Sequence, residues 1–162
     1  MTVVPDQITL RPAQPEDRDA LIRLFNDTFE TTWKPRITPE AVESYRQNDP
    51  AGNYVAAMAH EFIVAENAGE VAGVVHWRES FVHAVHVLSS HRRKGLASRL
   101  MDFAEARIAS AGYETVRLET DTFNEPSQAL YRNRGYHEID RYPDKHWNSG
   151  LTTVLLEKRL RE

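Results

Sequence analysis

The chain has no cysteine among its 162 residues, which removes disulfides, thiolate nucleophiles and thiolate metal ligands together. A reducing compartment is compatible with that inventory. Long apolar runs are missing as well. None approaches the roughly 20 residues that span a bilayer, and the opening Met1-Thr2-Val3-Val4-Pro5-Asp6 lacks the basic-then-apolar pattern of a secretion signal. A soluble, cytoplasmic protein without membrane contact is the expectation. Glycine is scarce at seven, and neither the Walker loop nor the Gly-x-Gly-x-x-Gly dinucleotide fingerprint is present. Gly-x-Ser-x-Gly and His-Glu-x-x-His are also absent, and the seven histidines do not fall at ligand spacing, so no metal site is expected. Positive charge is in deficit, with 20 Lys and Arg against 24 Asp and Glu for a net charge of -4. That balance disfavours generic nucleic-acid binding and mildly favours cationic partners. The basic run His91 to Lys94 has no interleaved aromatics on which bases could stack.

What is present is a regular alternation of strand and helix patterns over one domain, residues 1–162, long enough to bury a core unaided. Residues 8–11 alternate as a short strand. Pro15-Glu16-Asp17 opens a helix whose buried face is Leu21, Leu24, Phe25 and Phe29. Thr38-Pro39-Glu40 opens another, through about Tyr45, and residues 48–53 have the composition of a loop. Trp33, between the first two helices, could line a pocket or staple them, and packing is the favoured role. Residues 61–66 and 71–77 form strands joined at Asn67-Ala68-Gly69, a hairpin signal. Residues 81–88 complete an antiparallel meander. Leu96, Leu100, Met101, Ala104 and Ile108 define a helix face that Gly112 ends, and a strand follows at 115–121. Strand, long helix and strand make a crossover, so those two strands should run parallel. A short helix from Asn124 to about Arg134 and two last strands, 136–142 and 152–158, complete an α/β (α+β) fold with a mixed sheet.

The most informative stretch is the junction between the third strand and the long helix. Arg92-Arg93-Lys94-Gly95-Leu96-Ala97 combines charge with small residues at a helix start, where unpaired backbone N–H groups and the positive end of the helix dipole favour an anion. A phosphorylated ligand is implied. Taken with Val87 and Leu100, the pattern Val87-x-x-x-x-Arg92-x-x-Gly95-x-Ala97-x-x-Leu100 resembles the coenzyme A signature of the GNAT N-acetyltransferase superfamily. A second block, Asn124 followed by Ala129-Leu130-Tyr131-Arg132-Asn133-Arg134-Gly135-Tyr136, resembles that superfamily's downstream segment, with Tyr136 where Phe is common.

The resemblance implies a mostly antiparallel sheet with a splayed parallel strand pair and flanking helices. It implies acetyl transfer from acetyl-CoA, as co-substrate, to a primary amine of a small molecule or peptide through a direct ternary complex. The backbone of Val85 and Val87 would bond pantetheine, residues Arg92, Arg93, Lys94, Gly95, Leu96 and Ala97 would hold the pyrophosphate, and Asn124 would contact the cofactor arm. Tyr131 would face the sulfur as general acid, and a homodimer is possible. A non-catalytic acyl-CoA sensor or regulatory module is the alternative.

Chemistry sets two further requirements. The leaving thiolate has a reference pKa of about 8.5, and a phenol can donate a hydrogen bond or proton to it. The attacking amine must lose a proton, and His83 is the preferred base, with Glu79, Glu119 and Asp121 as competitors. Strict alternation over 81–88 would put Phe81, His83, Val85 and Val87 on one face and Val82, Ala84, His86 and Leu88 on the other. Asn124, two residues before Pro126, is also an ordinary helix cap. The acceptor should lie near Trp33, Trp77, His83 and the loop containing His146 and Trp147.

Overall fold

A computed structural model describes residues 7–144 and 150–160. Seven strands, β1 (Ile8–Pro12), β2 (Ile63–Asn67), β3 (Glu70–Arg78), β4 (Phe81–Val87), β5 (Thr115–Asp121), β6 (His137–Pro143) and β7 (Thr152–Arg159), form one sheet in the order β1-β2-β3-β4-β5-β7-β6. Every neighbouring pair is antiparallel except β4 and β5. The meander follows from the hairpin chemistry: Ala68 and Gly69 both take positive φ, the conformation a two-residue turn needs to match strand twist.

Helices cover both faces. On one lies α4 (Leu96–Ser110), whose Leu96, Leu100, Met101, Ala104 and Ile108 pack against Val75, Val82, Val116 and Leu118. Each such apolar side chain stabilises by about 1.5–3 kcal/mol when fully buried. On the other lie α1 (Arg18–Thr28) and α3 (Pro50–Met58), where Leu21, Leu24, Phe25 and Val55 meet Phe62, Val64 and Val74. Between them α2 (Pro39–Asn48) begins at Thr38, whose hydroxyl accepts from the Ala41 N–H. The last helix, α5 (Glu125–Asn133), begins at Asn124, whose side-chain oxygen accepts from the Ser127 N–H.

Three local features differ from the sequence pattern. Residues 50–53 are the start of helix α3 rather than loop. Asp49, at φ 45°, ends α2 and caps α3 by accepting from the Gly52 N–H, and Pro50 stands in the first turn, where its missing N–H costs nothing. Beyond α1 the chain continues as a π-turn over Phe29–Trp33 and a short 3-10 turn over Lys34–Arg36. The third difference is a bulge in β4. His76 pairs with Ala84 but Trp77 pairs with Val82, so His83 is an extra residue. The bulge breaks the alternation on which the face assignment rests. Val82, Val85 and Val87 all pack toward α4, while Ala84 packs toward α1 and α3. His83 stacks on His76 at 5.3 Å and His86 contacts Phe25 at 4.9 Å. The two histidines therefore share a side, instead of pointing oppositely.

Candidate active site

The parallel pair holds together only at its start. Phe81 registers with Arg117 and Val82 with Leu118, and pairing then stops. Past Val82 the two strands diverge, and a cleft of about 1400 Å³ occupies the gap and the space under α1–α3. It is lined by β4 from Phe81 to Val87, by the start of α4, by the end of β5, and by Ser127, Leu130 and Tyr131 of α5. Val85 and Val87 therefore line an opening between strands, with their opposite edges paired to Val75 and Gly73 of β3.

One end of the cleft is basic. Arg92, Arg93, Gly95, Leu96, Ala97 and His91 line it, while Lys94 is exposed and outside the lining. Gly95 takes φ 77° immediately before α4, and no side chain caps that helix start, so its first N–H groups face the cleft with the positive end of the dipole behind them. A short 3-10 turn, Ser89–His91, is braced from α1: Asp27 accepts from the Ser89 N–H at 2.8 Å and from its hydroxyl at 2.9 Å. Arg92 donates to the Thr31 hydroxyl at 2.9 Å, tying this turn to the π-turn.

Tyr131 is 6% exposed and lines the cleft from α5. Burial raises its phenol to about 12. A phenol held there keeps its proton through the neutral range and is a hydrogen-bond donor on the cleft wall. The helix carrying it is fixed by a buried cluster. Glu105 of α4 accepts from Tyr136 Oη at 2.8 Å and Lys158 Nζ at 2.6 Å, and pairs with Arg134 at 3.2 Å. Tyr136 in turn stands edge-on to Tyr131 at 5.5 Å. The role of Tyr136 in positioning was not visible from its place beside Gly135.

The wall of the cleft at the end of β5 is acidic. Glu119, Asp121 and Asp144 line it, and burial together with Asp144 and Glu119 raises the Asp121 carboxyl to about 7. His83 lines both the cleft and a smaller recess that also holds Glu61, Arg78 and Glu79. Glu79 is exposed in the β3–β4 turn and lines only that recess. Trp33 lines the cleft and meets Phe123, in the β5–α5 connection, edge-on at 5.6 Å. Trp77 packs on the α4 side against Phe103 and lies outside the cleft. His146 and Trp147 fall outside the described residues. Asn124 lines the cleft while capping α5.

A partly buried hydrogen-bonded chain lies beside His83, with no signal for it in the sequence. Tyr54 Oη is hydrogen-bonded to His76 Nδ1, and His76 Nε2 to Glu61 Oε1 at 2.7 Å, with Arg78 on the same carboxylate at 3.1 Å. His76 is 1% exposed, and burial lowers its pKa against the opposing pull of Glu61. His76 lies in a run of buried residues in β3, and its partners come from α3 and the turn before β2. Among the described residues no group of three or more His, Asp or Glu could hold a metal ion, and no helix is long and apolar enough to cross a membrane.

A mixed, mostly antiparallel seven-stranded sheet with one parallel pair that opens past Val82, flanked by helices, makes this an α/β protein. Residues 18–136 match the acetyltransferase (GNAT) family, and the chain belongs to that family. A streptothricin acetyltransferase of Escherichia coli is 28% identical over 145 residues, covering 84% of this chain and 79% of the relative. A blasticidin-S acetyltransferase of Streptomyces morookaense is 33% identical over 95 residues, or 59% of this chain and 68% of the relative. Among solved structures, the PaiA N-acetyltransferase of Thermoplasma acidophilum in complex with coenzyme A superposes with a TM-score of 0.75 at 18% identity, covering 94% of this chain and 98% of the other.

Proposed function

We propose that the protein moves an acetyl group from acetyl-CoA to a primary amine of a small molecule, within one ternary complex. The observation that carries this reading is the opening of the β4–β5 pair past Val82, with the uncapped start of α4 at one end and Tyr131 on its wall. An extended pantetheine fits such a gap as an added strand, because the free edge of β4 around Val85 and Val87 offers backbone donors and acceptors. The pyrophosphate suits Arg92, Arg93 and the N–H groups following Gly95. The small-molecule acceptor is favoured because the streptothricin and blasticidin-S relatives are named for small molecules.

In the transfer, the neutral amine nitrogen attacks the thioester carbonyl, the C–S bond breaks, and the nitrogen's extra proton goes to a base on the acceptor side. His83 is suited to take it, directly or through one water, since it lines the cleft on the α1–α3 side. Tyr131 donates its phenolic hydrogen bond to the departing sulfur. A panel of amines assayed by release of free thiol tests the reading. Turnover should appear with at least one amine, and Tyr131→Phe should lower kcat by about a hundredfold, within the range of acid–base contributions, while coenzyme A binding is retained. Binding of acetyl-CoA with no thiol release from any amine would leave the non-catalytic module instead.

A further inference from the structure

Asp121 is 5% exposed and lines the cleft, yet no described residue donates a hydrogen bond to its carboxylate. Only its backbone oxygen is engaged, by the Asn124 N–H and by Gln128 Nε2. Buried carboxylates are ordinarily paired, since an isolated buried charge is costly. Here the neighbours worsen the cost. Glu119, two residues earlier on the same face of β5, and Asp144, at the end of β6, both act on Asp121 as like charges. Three acids thus line the β5 side of the cleft.

The arginines nearest Asp121 do not pair with it. Arg117, next on that face, pairs with Glu157 at 2.8 Å. Arg36, which also lines the cleft, lies over the Phe123 ring at 5.7 Å and is not ion-paired with Glu119 or Asp121. The Asp121 carboxylate opens onto the cleft, where water serves as its donor until a ligand replaces it. A donor that is also a cation relieves the repulsion among all three acids at once.

We infer that Asp121, with Glu119 and Asp144 beside it, forms a subsite for a second cationic group of the acceptor, so that the acceptor is a dication or polycation rather than a simple amine. The inference rests on the proposed acetyl transfer only in taking the acceptor to be an amine. One amine is acetylated near Tyr131 and His83 while an ammonium or guanidinium elsewhere on the same molecule is held by the acids. The subsite selects the acceptor by charge and by the spacing between its nitrogens.

The probes are the diamines from 1,3-diaminopropane to 1,6-diaminohexane, with spermidine, each against the straight-chain monoamine of the same carbon count. Two readouts are taken: binding by calorimetry to the protein saturated with coenzyme A, and thiol release from acetyl-CoA. At least one diamine should bind, and be turned over in kcat/KM, at least tenfold better than its monoamine. Asp121→Asn should collapse that ratio toward one, and Glu119→Gln should reduce it. Were Asp121 instead the base for the reacting amine, Asp121→Asn would lower diamine and monoamine turnover together and keep their ratio, which overturns the subsite. A ratio near one in the wild-type protein, or no binding of any diamine, overturns it as well. Selective diamine binding without thiol release upholds the subsite and refutes acetyl transfer.

Discussion

Asp121→Asn should make the ligand-free protein more stable at neutral pH, and the gain should vanish in acid. The native carboxyl is held near 7 against an ordinary value of 3.8 by burial and by Asp144 and Glu119, a rise of about three units. At about 1.4 kcal/mol per unit, the destabilisation of the folded state at pH 8 has a ceiling of about 4 kcal/mol. Water in the open cleft screens part of this, and half the ceiling, about 2 kcal/mol, is the expected gain. The sign follows from proton counts. Between 3.8 and 7 the folded state holds the proton and the unfolded state has lost it, so the wild-type contribution is fully favourable below 3.8 and is lost as pH rises through 7. Asparagine carries no such dependence. Thermal unfolding of the two proteins at pH 8 and pH 4.5 measures it. A gain of about 4–8 °C in Tm is expected at pH 8 for a domain of this size, shrinking to about 2 °C or less at pH 4.5. Groups remote from Asp121 titrate equally in both proteins and cancel in the difference, while Glu119 and Asp144, relieved of a like charge, add to the gain at pH 8. No gain at pH 8, or the same gain at both, would refute the reasoning and with it the picture of an uncompensated acid in the cleft.

Further outcomes follow from other parts of the molecule. Glu105→Ala leaves Lys158 and Arg134 facing each other without their shared anion and should cost about 3–5 kcal/mol in urea unfolding. Gly95→Ala meets no atom within 4 Å but must hold φ 77°, so its cost of about 1–2 kcal/mol is purely conformational, and coenzyme A affinity measured by calorimetry should fall with it. His86, buried beside Arg92 and lowered to about 4, acts in the opposite sense to Asp121. Its contribution is present above 6.5 and is lost as pH falls through 4, so His86→Gln should flatten the acid limb of a Tm-against-pH curve.

Much of the architecture was legible because its signals are local. The apolar spacing of α4, the caps at Thr38 and Asn124, and the Ala68-Gly69 turn each lie within a few residues, and each formed as expected. The start of α3 was misread because Asp49-Pro50 is the chemistry of a turn and of a helix start alike, and only the Val55 contact with the core decides between them. The basic strand-to-helix turn was legible for the same local reason as the caps. Glu119 and Asp121 were legible as acids of the partner strand, but the burial of Asp121 was not. Asp121 gains its character from burial under distant segments and from Asp144, 23 positions along the chain, and nothing near it in sequence carries that information. The chain from Tyr54 through His76 to Glu61 was hidden likewise, since its members come from three elements.

The extra residue in β4 also has a bearing on how the protein tolerates insertion and deletion. Because His83 is the phase break in the strand, removing it forces one half to turn over. Either Phe81 and Val82 give up the pairing that starts the parallel pair, or Val85 and Val87 rotate off the α4 core and out of the gap between strands. An added residue at the same place only widens an existing irregularity. Length change at position 83 is therefore directional, with growth absorbed locally and shortening transmitted along the whole strand.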